Sequence, residues 1–551
     1  SGKNMRRLNI KFIIVLFVVV AIIGIGGWVL WAVNAGQGSQ RLLEKARLAQ
    51  ESGQFDEALR FYARYLNRNP NDTESLCEAA MMAPKCITAD PGRSRQATNA
   101  VRIMGRALRA APERNDIRRN LVDGFIELGE IAAGSDSERD FYAQARTEAA
   151  KLKSRGIDDP ELDYSIAVCL EKVGEESKAI NQLASLVGYD TQNGTFDAAA
   201  AREAHMLDAY VLLAALLRKR GIGGREDELR ADAVIEQMAV VNSDSPDALV
   251  KRAKYLRTNN EVGGETIRRR RLAAARESLR KALKIDGKNF DALFENAKVA
   301  FEAKEFDLAK EYLAKASKVD PKNVRIYLQQ SLIARVEKDP ESEIECVQAG
   351  LAQLPDNHQL ISVLLTAQVL AKKTEQARAT IERMRELNFR NELIDLSEAK
   401  VLCGEENWKA ASNKLEALRP QMSLLPASFA VSVDHLLARC YQRLGKPDRQ
   451  LAACERALGT NPRSQLALAG QAEALVTLRR MPAAMEALDR LRTLMGDEEF
   501  DNDKRLRTLY LGTLVALSEN SPKYKKRFES YKQKYISSDD VTDSDKVVVR
   551  A

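Results

Sequence analysis

Apolar and polar positions alternate along this chain in two different ways. From Phe12 to Val33 the sequence FIIVLFVVVAIIGIGGWVLWAV carries no charge. As a helix this stretch spans about 33 Å, enough for the hydrocarbon core of a bilayer. Lys3, Arg6, Arg7 and Lys11 precede it without an acid, and Trp28 and Trp31 mark its distal end. Arg41 is the only charge in the ten residues that follow. The asymmetry predicts a basic cytoplasmic N-terminus over 1–11 and a single-pass signal-anchor helix over 12–33. A linker over 34–40 would then lead to an extracytoplasmic, periplasmic chain held at the inner (cytoplasmic) membrane. A cleaved signal peptide is the shorter alternative, but its apolar region would be about 7–15 residues. Lys45 and Arg47 make the distal side basic as well, which keeps a cytoplasm-facing arrangement as a second reading.

Beyond the linker the period changes to that of amphipathic helices. In the stretch Phe290 to Asn323, Leu293, Ala297 and Ala300 form one stripe, and Leu308, Ala309, Leu313 and Ala316 form a second. The second helix ends at Asp320-Pro321, because proline lacks the N–H and clashes with the preceding turn. The pattern recurs at intervals of 34 residues: Ala275, Ala309, Ala377 and Ala411 occupy one point in the second helix, and only Glu343 breaks the series. Gly287, Pro321 and Pro355 recur at its end. After an insertion at Pro420–Pro426 the comb resumes with Pro462 and then Ala484. Small residues at a fixed interval mean helices that cross closely.

These residues resemble the tetratricopeptide repeat (TPR) family. Gly53, Phe55, Ala58, Tyr62, Leu66 and Pro70 match the second half of the family pattern. Leu437, Ala438, Tyr441, Gly445, Ala457, Leu458 and Pro462 match nearly all of it. The resemblance implies an all-α solenoid of helical hairpins, a right-handed superhelix of about twelve units over 41–536. It is most regular over 247–421 and 427–496 and irregular between 115 and 264. A more polar last pair of helices caps it, and 537–551 reads as a polar, disordered tail. The architecture is similar to that of membrane-anchored bacterial TPR proteins.

Composition removes several classes of function. The chain has 551 residues, 45% hydrophobic and 30% charged, and its 85 Lys and Arg against 78 Asp and Glu leave only +7. That balance carries no nucleic-acid signature. The three histidines, His205, His358 and His435, are too far apart for a metal motif, and His358 falls in a turn between units. No phosphate-binding or nucleophile-elbow motif occurs. Seven cysteines without a C-x-x-C read as buried thiols; Cys440 and Cys454, on the two helices of one hairpin, are the pair for which a disulfide is conceivable. No catalytic residue, metal or cofactor is predicted.

Binding is what remains. In this family the first helices line a groove, and Lys251, Lys254 and Arg257 share a face of one such helix, with Lys298, Arg325 and Arg335 in the next units. Together they predict a basic strip for an acidic or extended segment of a protein partner, interrupted by Glu295 and Glu302. A second basic patch, Arg268, Arg269, Arg270 and Arg271, opens a second helix. The expected role is a non-enzymatic, membrane-anchored scaffold or adaptor in the cell envelope. The alternatives are a cytoplasm-facing adaptor for regulation or secretion, and a regulatory part of a longer enzyme.

Overall fold

Helices follow one another in pairs throughout the computed structural model, which describes residues 39–87, 94–135, 137–220, 225–259, 264–519 and 521–536. The predicted membrane segment 12–33, its flank 1–11, the linker up to residue 38 and the tail 537–551 lie outside the described residues. No helix among the described residues is long and apolar enough to cross a membrane. The chain divides into two compact units, the first ending at Glu295 and the second beginning at Asn296.

In the first unit the hairpins are Thr73–Met82 with Ser94–Ala110, Asn115–Ile131 with Ser137–Ser154, Pro160–Lys172 with Glu176–Val187, Leu207–Arg220 with Arg225–Val241, and Pro246–Thr258 with Gly264–Ile285. The helices 39–51 and Phe55–Arg68 precede them. The irregularity expected between 115 and 264 has a local cause. Between the third and fourth of these helix pairs the chain takes a connector over 188–206, which carries an isolated β-bridge between Tyr189 and Phe196.

The second unit repeats the hairpin with greater regularity. Its pairs are Val324–Val336 with Pro340–Gln353, His358–Leu370 with Thr374–Glu386, Asn391–Gly404 with Trp408–Leu418, Ala427–Arg443 with Pro447–Thr460, and Gln465–Thr477 with Met481–Met495. Phe306–Val319 precedes them. The insertion at 420–426 forms a 3-10 turn, Arg419–Leu424, and a short helix Asp497–Asn502 leads to the last pair, Lys504–Ser518 with Pro522–Ile536. Each first helix packs on the first helix of the next hairpin, whereas successive second helices make far fewer contacts. The stack within this unit therefore curves with its first helices inside.

The 34-residue period is visible in the backbone itself. Lys304, Lys338, Lys372 and Glu406 all take the left-handed conformation, with φ of 62°, 61°, 57° and 59°. Gly445 and Arg479 continue the series after the insertion. The residue after each donates its N–H five residues back, as Asp339 does to the Ala334 carbonyl at 2.9 Å and Lys373 to Gln368 at 2.8 Å. That bond closes the first helix in a Schellman turn and sends the chain into the second. Starts are fixed in the same way. Asn289, Asn323 and Asn357 each accept a backbone N–H of the first turn, at 2.9, 3.2 and 3.0 Å.

The small-residue comb packs as its spacing predicts: Ala275, Ala309, Ala377, Ala411 and Ala484 are fully buried. Glu343, the exception, is buried too. Its carboxylate accepts from Ser331 Oγ at 3.0 Å and from Arg335 Nε at 3.1 Å. Seven residues on, Gly350 stands where a Cβ would come within 2.7 Å of the Tyr327 ring, so this hairpin has no room for a side chain there.

Candidate partner-binding surface

The basic residues singled out by spacing fall into both units, and four of the ten, Lys251, Arg257, Arg271 and Arg335, are held by acids of their own chain. In the first unit Lys251 pairs with Asp208 at 2.6 Å. Arg257, placed by its spacing on an exposed strip, is instead nearly buried and pairs at 3.0 Å with Glu295, itself buried. Glu295 is thus the counterion of the strip's third residue. Lys254 alone of these three is exposed and has no acid within reach. In the second unit Lys298 is half-buried and Arg325 exposed, while Arg335 reaches the buried carboxylate of Glu343.

The run 268–271 is likewise divided. Arg271 turns inward and donates to Asp232 at 2.6 Å, a carboxylate that also accepts from Tyr255 at 2.8 Å and Arg218 at 3.2 Å. Arg268 is half-buried, and Arg269 and Arg270 are exposed. The cluster around Asp232 ties the hairpin Leu207–Arg220/Arg225–Val241 to the next, which is a packing role.

Sequence spacing missed the more open cations. Lys400, on the first helix Asn391–Gly404, has no acid within ion-pairing reach among the described residues. Burial, and then the nearby Arg335 guanidinium, hold its pKa below the usual lysine value. Arg439 and Arg443, on the first helix of the next hairpin, are exposed and also lack an acid partner among the described residues. Both guanidiniums stand 5.6 Å from the centre of the Trp408 ring, which opens the second helix of the Lys400 hairpin. Lys298, Leu332, Thr366 and Lys400 succeed one another at 34 residues, and Arg439 and Glu473 take the same place beyond the insertion. The step that defines the repeat was therefore enough to find Lys400. Glu473 bounds the patch, since it accepts from Gln442 at 2.6 Å and pairs with Arg505.

Apolar side chains flank these cations. Leu332, Val336, Leu370 and Leu393, all on first helices, keep between 37% and 54% of their surface exposed. The surface is thus mixed: cations that are not neutralised from within, one indole, and accessible aliphatic groups.

Among the described residues no group of three or more His, Cys, Asp and Glu is placed to hold a metal ion. His358 is exposed, at the start of its helix, and stacks on Phe389 with ring centres 4.0 Å apart. His435 meets Ser464 Oγ at 2.9 Å, and burial lowers its pKa. An open cavity of about 790 Å³ near the C-terminal helices is lined by Asp489, Arg492, Tyr510, Lys523, Arg527 and Tyr531. Its central cation is already occupied. The Arg492 guanidinium lies 5.0–5.7 Å from the rings of Phe500, Tyr510 and Tyr531.

The fold defines a helical-hairpin repeat scaffold, an architecture that presents surface for protein–protein contact. Residues 267–335 and 435–498 match sequence models of the tetratricopeptide repeat, so the hairpins within those two spans are similar to TPR units. No curated protein sequence matches the chain at a significant level. Among solved structures it is similar to yeast Tom70, with 15% identity, a TM-score of 0.44 and coverage of 90% of this chain and 99% of that one. It is also similar to a tetratricopeptide repeat protein from Parabacteroides merdae, with 13% identity, a TM-score of 0.39 and coverage of 49% and 98%. A third is the APC/C hetero-tetramer Cut9–Hcn1, with 11% identity, a TM-score of 0.34 and coverage of 86% and 96%.

Proposed function

We infer that this chain is a non-enzymatic TPR scaffold that binds an acidic segment of a protein partner along the first helices of its second unit. The observation that carries the reading is Lys400, an ammonium held partly out of water with no carboxylate of its own. Desolvating such a charge is costly unless an opposite charge completes the pair. Arg439 and Arg443 extend the positive potential to the next hairpin, and Leu332, Val336, Leu370 and Leu393 supply apolar contact. A segment with spaced carboxylates and aliphatic or aromatic side chains complements that arrangement. The scaffold binds without bond chemistry.

The anchored form of the reading rests on sequence. With residues 12–33 in the membrane and 1–11 in the cytoplasm, the repeats stand in the extracytoplasmic envelope, and tethering raises the effective concentration of a membrane-bound partner. A phosphatase reporter fused after Tyr535 is active in that orientation and inactive if the repeats face the cytoplasm.

Zero-length carbodiimide crosslinking in intact membranes tests the binding surface directly. Lys400 should link to an Asp or Glu of one reproducible protein, and Lys400→Met should remove that link while leaving the chain folded. An unchanged set of links in Lys400→Met would overturn the assignment.

A further inference from the structure

All seven cysteines are free thiols, and six are buried. Two of them meet. Cys403 Sγ lies 3.5 Å from Cys440 Sγ, on the first helices of successive hairpins, Asn391–Gly404 and Ala427–Arg443. Cys440 and Cys454, for which spacing made a disulfide conceivable, are both free thiols of one apolar cluster. Cys454 lies against Gly470, where an added Cβ would fall 2.9 Å from its sulfur.

The two sulfurs of the meeting pair need to close by about 1.5 Å to reach bonding distance. Cys403 is the next-to-last residue of its helix, and its carbonyl accepts from Glu406, the left-handed residue of the turn. A helix end of this kind frays more readily than a helix interior, so it offers a route to a sulfur that is otherwise covered. The environment also separates the two roles. Either sulfur can donate in the contact between them, and the Arg439 guanidinium acts to lower the Cys403 pKa. Cys403, at the fraying helix end, is the sulfur an external reagent reaches first, and Cys440, fully buried beside it, is the thiol that resolves it.

We propose that Cys403 and Cys440 are a redox modification site, forming a reversible disulfide that staples two neighbouring first helices of the second unit. The oxidant is a small disulfide, R–S–S–R. Cys403 thiolate attacks one of its sulfurs, forming a mixed disulfide and expelling RS⁻. Cys440 then loses its proton and attacks the Cys403 sulfur, expelling the second RS⁻. Two protein thiols are oxidised to one disulfide, one external disulfide is reduced to two thiols, and a dithiol reductant reverses the exchange. Lys400 precedes Cys403 by one turn of the same helix, so the staple fixes the spacing of two helices that carry Lys400, Arg439 and Arg443. The site itself stands whether or not those cations bind a partner.

The test uses the detergent-solubilised full chain, incubated in its native state with oxidised glutathione and then alkylated in denaturant, which opens the buried thiols to the reagent. The expected result is a fall from seven alkylatable thiols to five. Non-reducing digestion should yield tryptic peptides 401–409 and 440–443 joined, and dithiothreitol should separate them. The linkage should persist in Cys454→Ala and vanish in Cys440→Ala. Oxidation should raise the Tm by roughly 5 °C, an effect of loop closure that Cys440→Ala cannot show. Seven thiols still alkylatable after incubation, a stable glutathione adduct on Cys403 without the cross-link, or a link through another cysteine would each overturn the proposal. Because the decisive readout is made on the unaltered chain, a variant that folds poorly does not leave it untested.

Discussion

At the scale of single residues, the clearest lesson is that one place in a repeat can accept a residue that its equivalents reject. Glu343 sits where Ala275, Ala309, Ala377 and Ala411 sit, and it is almost completely buried. It is tolerated because Ser331 and Arg335 direct polar groups at its carboxylate. One repeat on, the places of Ser331 and Arg335 are taken by Leu365 and Val369. Ala377→Glu should therefore bury a carboxylate without partners and cost about 3 kcal/mol or more. Glu343→Ala restores the residue of the comb, and Arg335, which keeps 42% of its side-chain surface exposed, can turn to solvent. Its cost should stay within about 1 kcal/mol. Urea denaturation of the two variants, followed by far-UV circular dichroism, measures both. A Glu343→Ala loss as large as that of Ala377→Glu would mean that the ion pair, and not the fit, holds this hairpin.

At the scale of the hairpin, the turn between its helices is under a strain that its sequence leaves unrelieved. The left-handed residue is Gly53, Gly174 or Gly445 in three turns, but Lys304, Lys338, Lys372, Glu406 and Arg479 in others. An L-residue pays about 1–2 kcal/mol for that conformation, partly offset by the extra freedom that glycine has in the unfolded chain. Lys338→Gly should accordingly stabilise by about 0.5–1 kcal/mol, and Lys338→Val should destabilise, readable as opposite shifts of the urea midpoint. These turns also define what was legible beforehand. Helix boundaries, the place of the small residues and the two hairpins flanking the insertion all follow from the 34-residue comb, because close packing of like hairpins imposes the same small residue at the same step. The connector 188–206 was not legible, since its single β-bridge leaves no periodic trace. Contacts between hairpins were also hidden. Arg257 with Glu295 and Cys403 with Cys440 join residues 38 and 37 apart, near the repeat length but outside its strict step. A charge therefore read as exposed proved to be paired, whereas Lys400, in step with Lys298, has no ion pair among the described residues.

At the scale of the molecule, stability is shared between neighbours, and each end of a stack needs a side that water can face. At the C-terminal end of the second unit the helix Pro522–Ile536 packs on Lys504–Ser518. It covers Tyr510 with Tyr531, ring centres 5.1 Å apart, and its Arg527 pairs with Asp489 at 2.9 Å. Tyr524 and Phe528 pack on the same apolar cluster, which includes Leu488, Leu511 and Leu514. Its exposed positions are polar, among them Lys523, Lys525 and Lys526. It is built as a lid on an apolar edge. A chain ending at Ser518 should lose about 3 kcal/mol or more of local stability, the order expected when large aromatic contacts are returned to water. The loss should stay local. Hydrogen exchange should accelerate over 465–518 and remain unchanged over 324–386, because those hairpins touch only their own neighbours. Were protection to fall equally over 324–386, the second unit would unfold as one cooperative block, and contacts beyond nearest neighbours would have to carry its stability. A local loss would instead mean that the surface around Lys400, several hairpins away from the lid, keeps its geometry while the end frays.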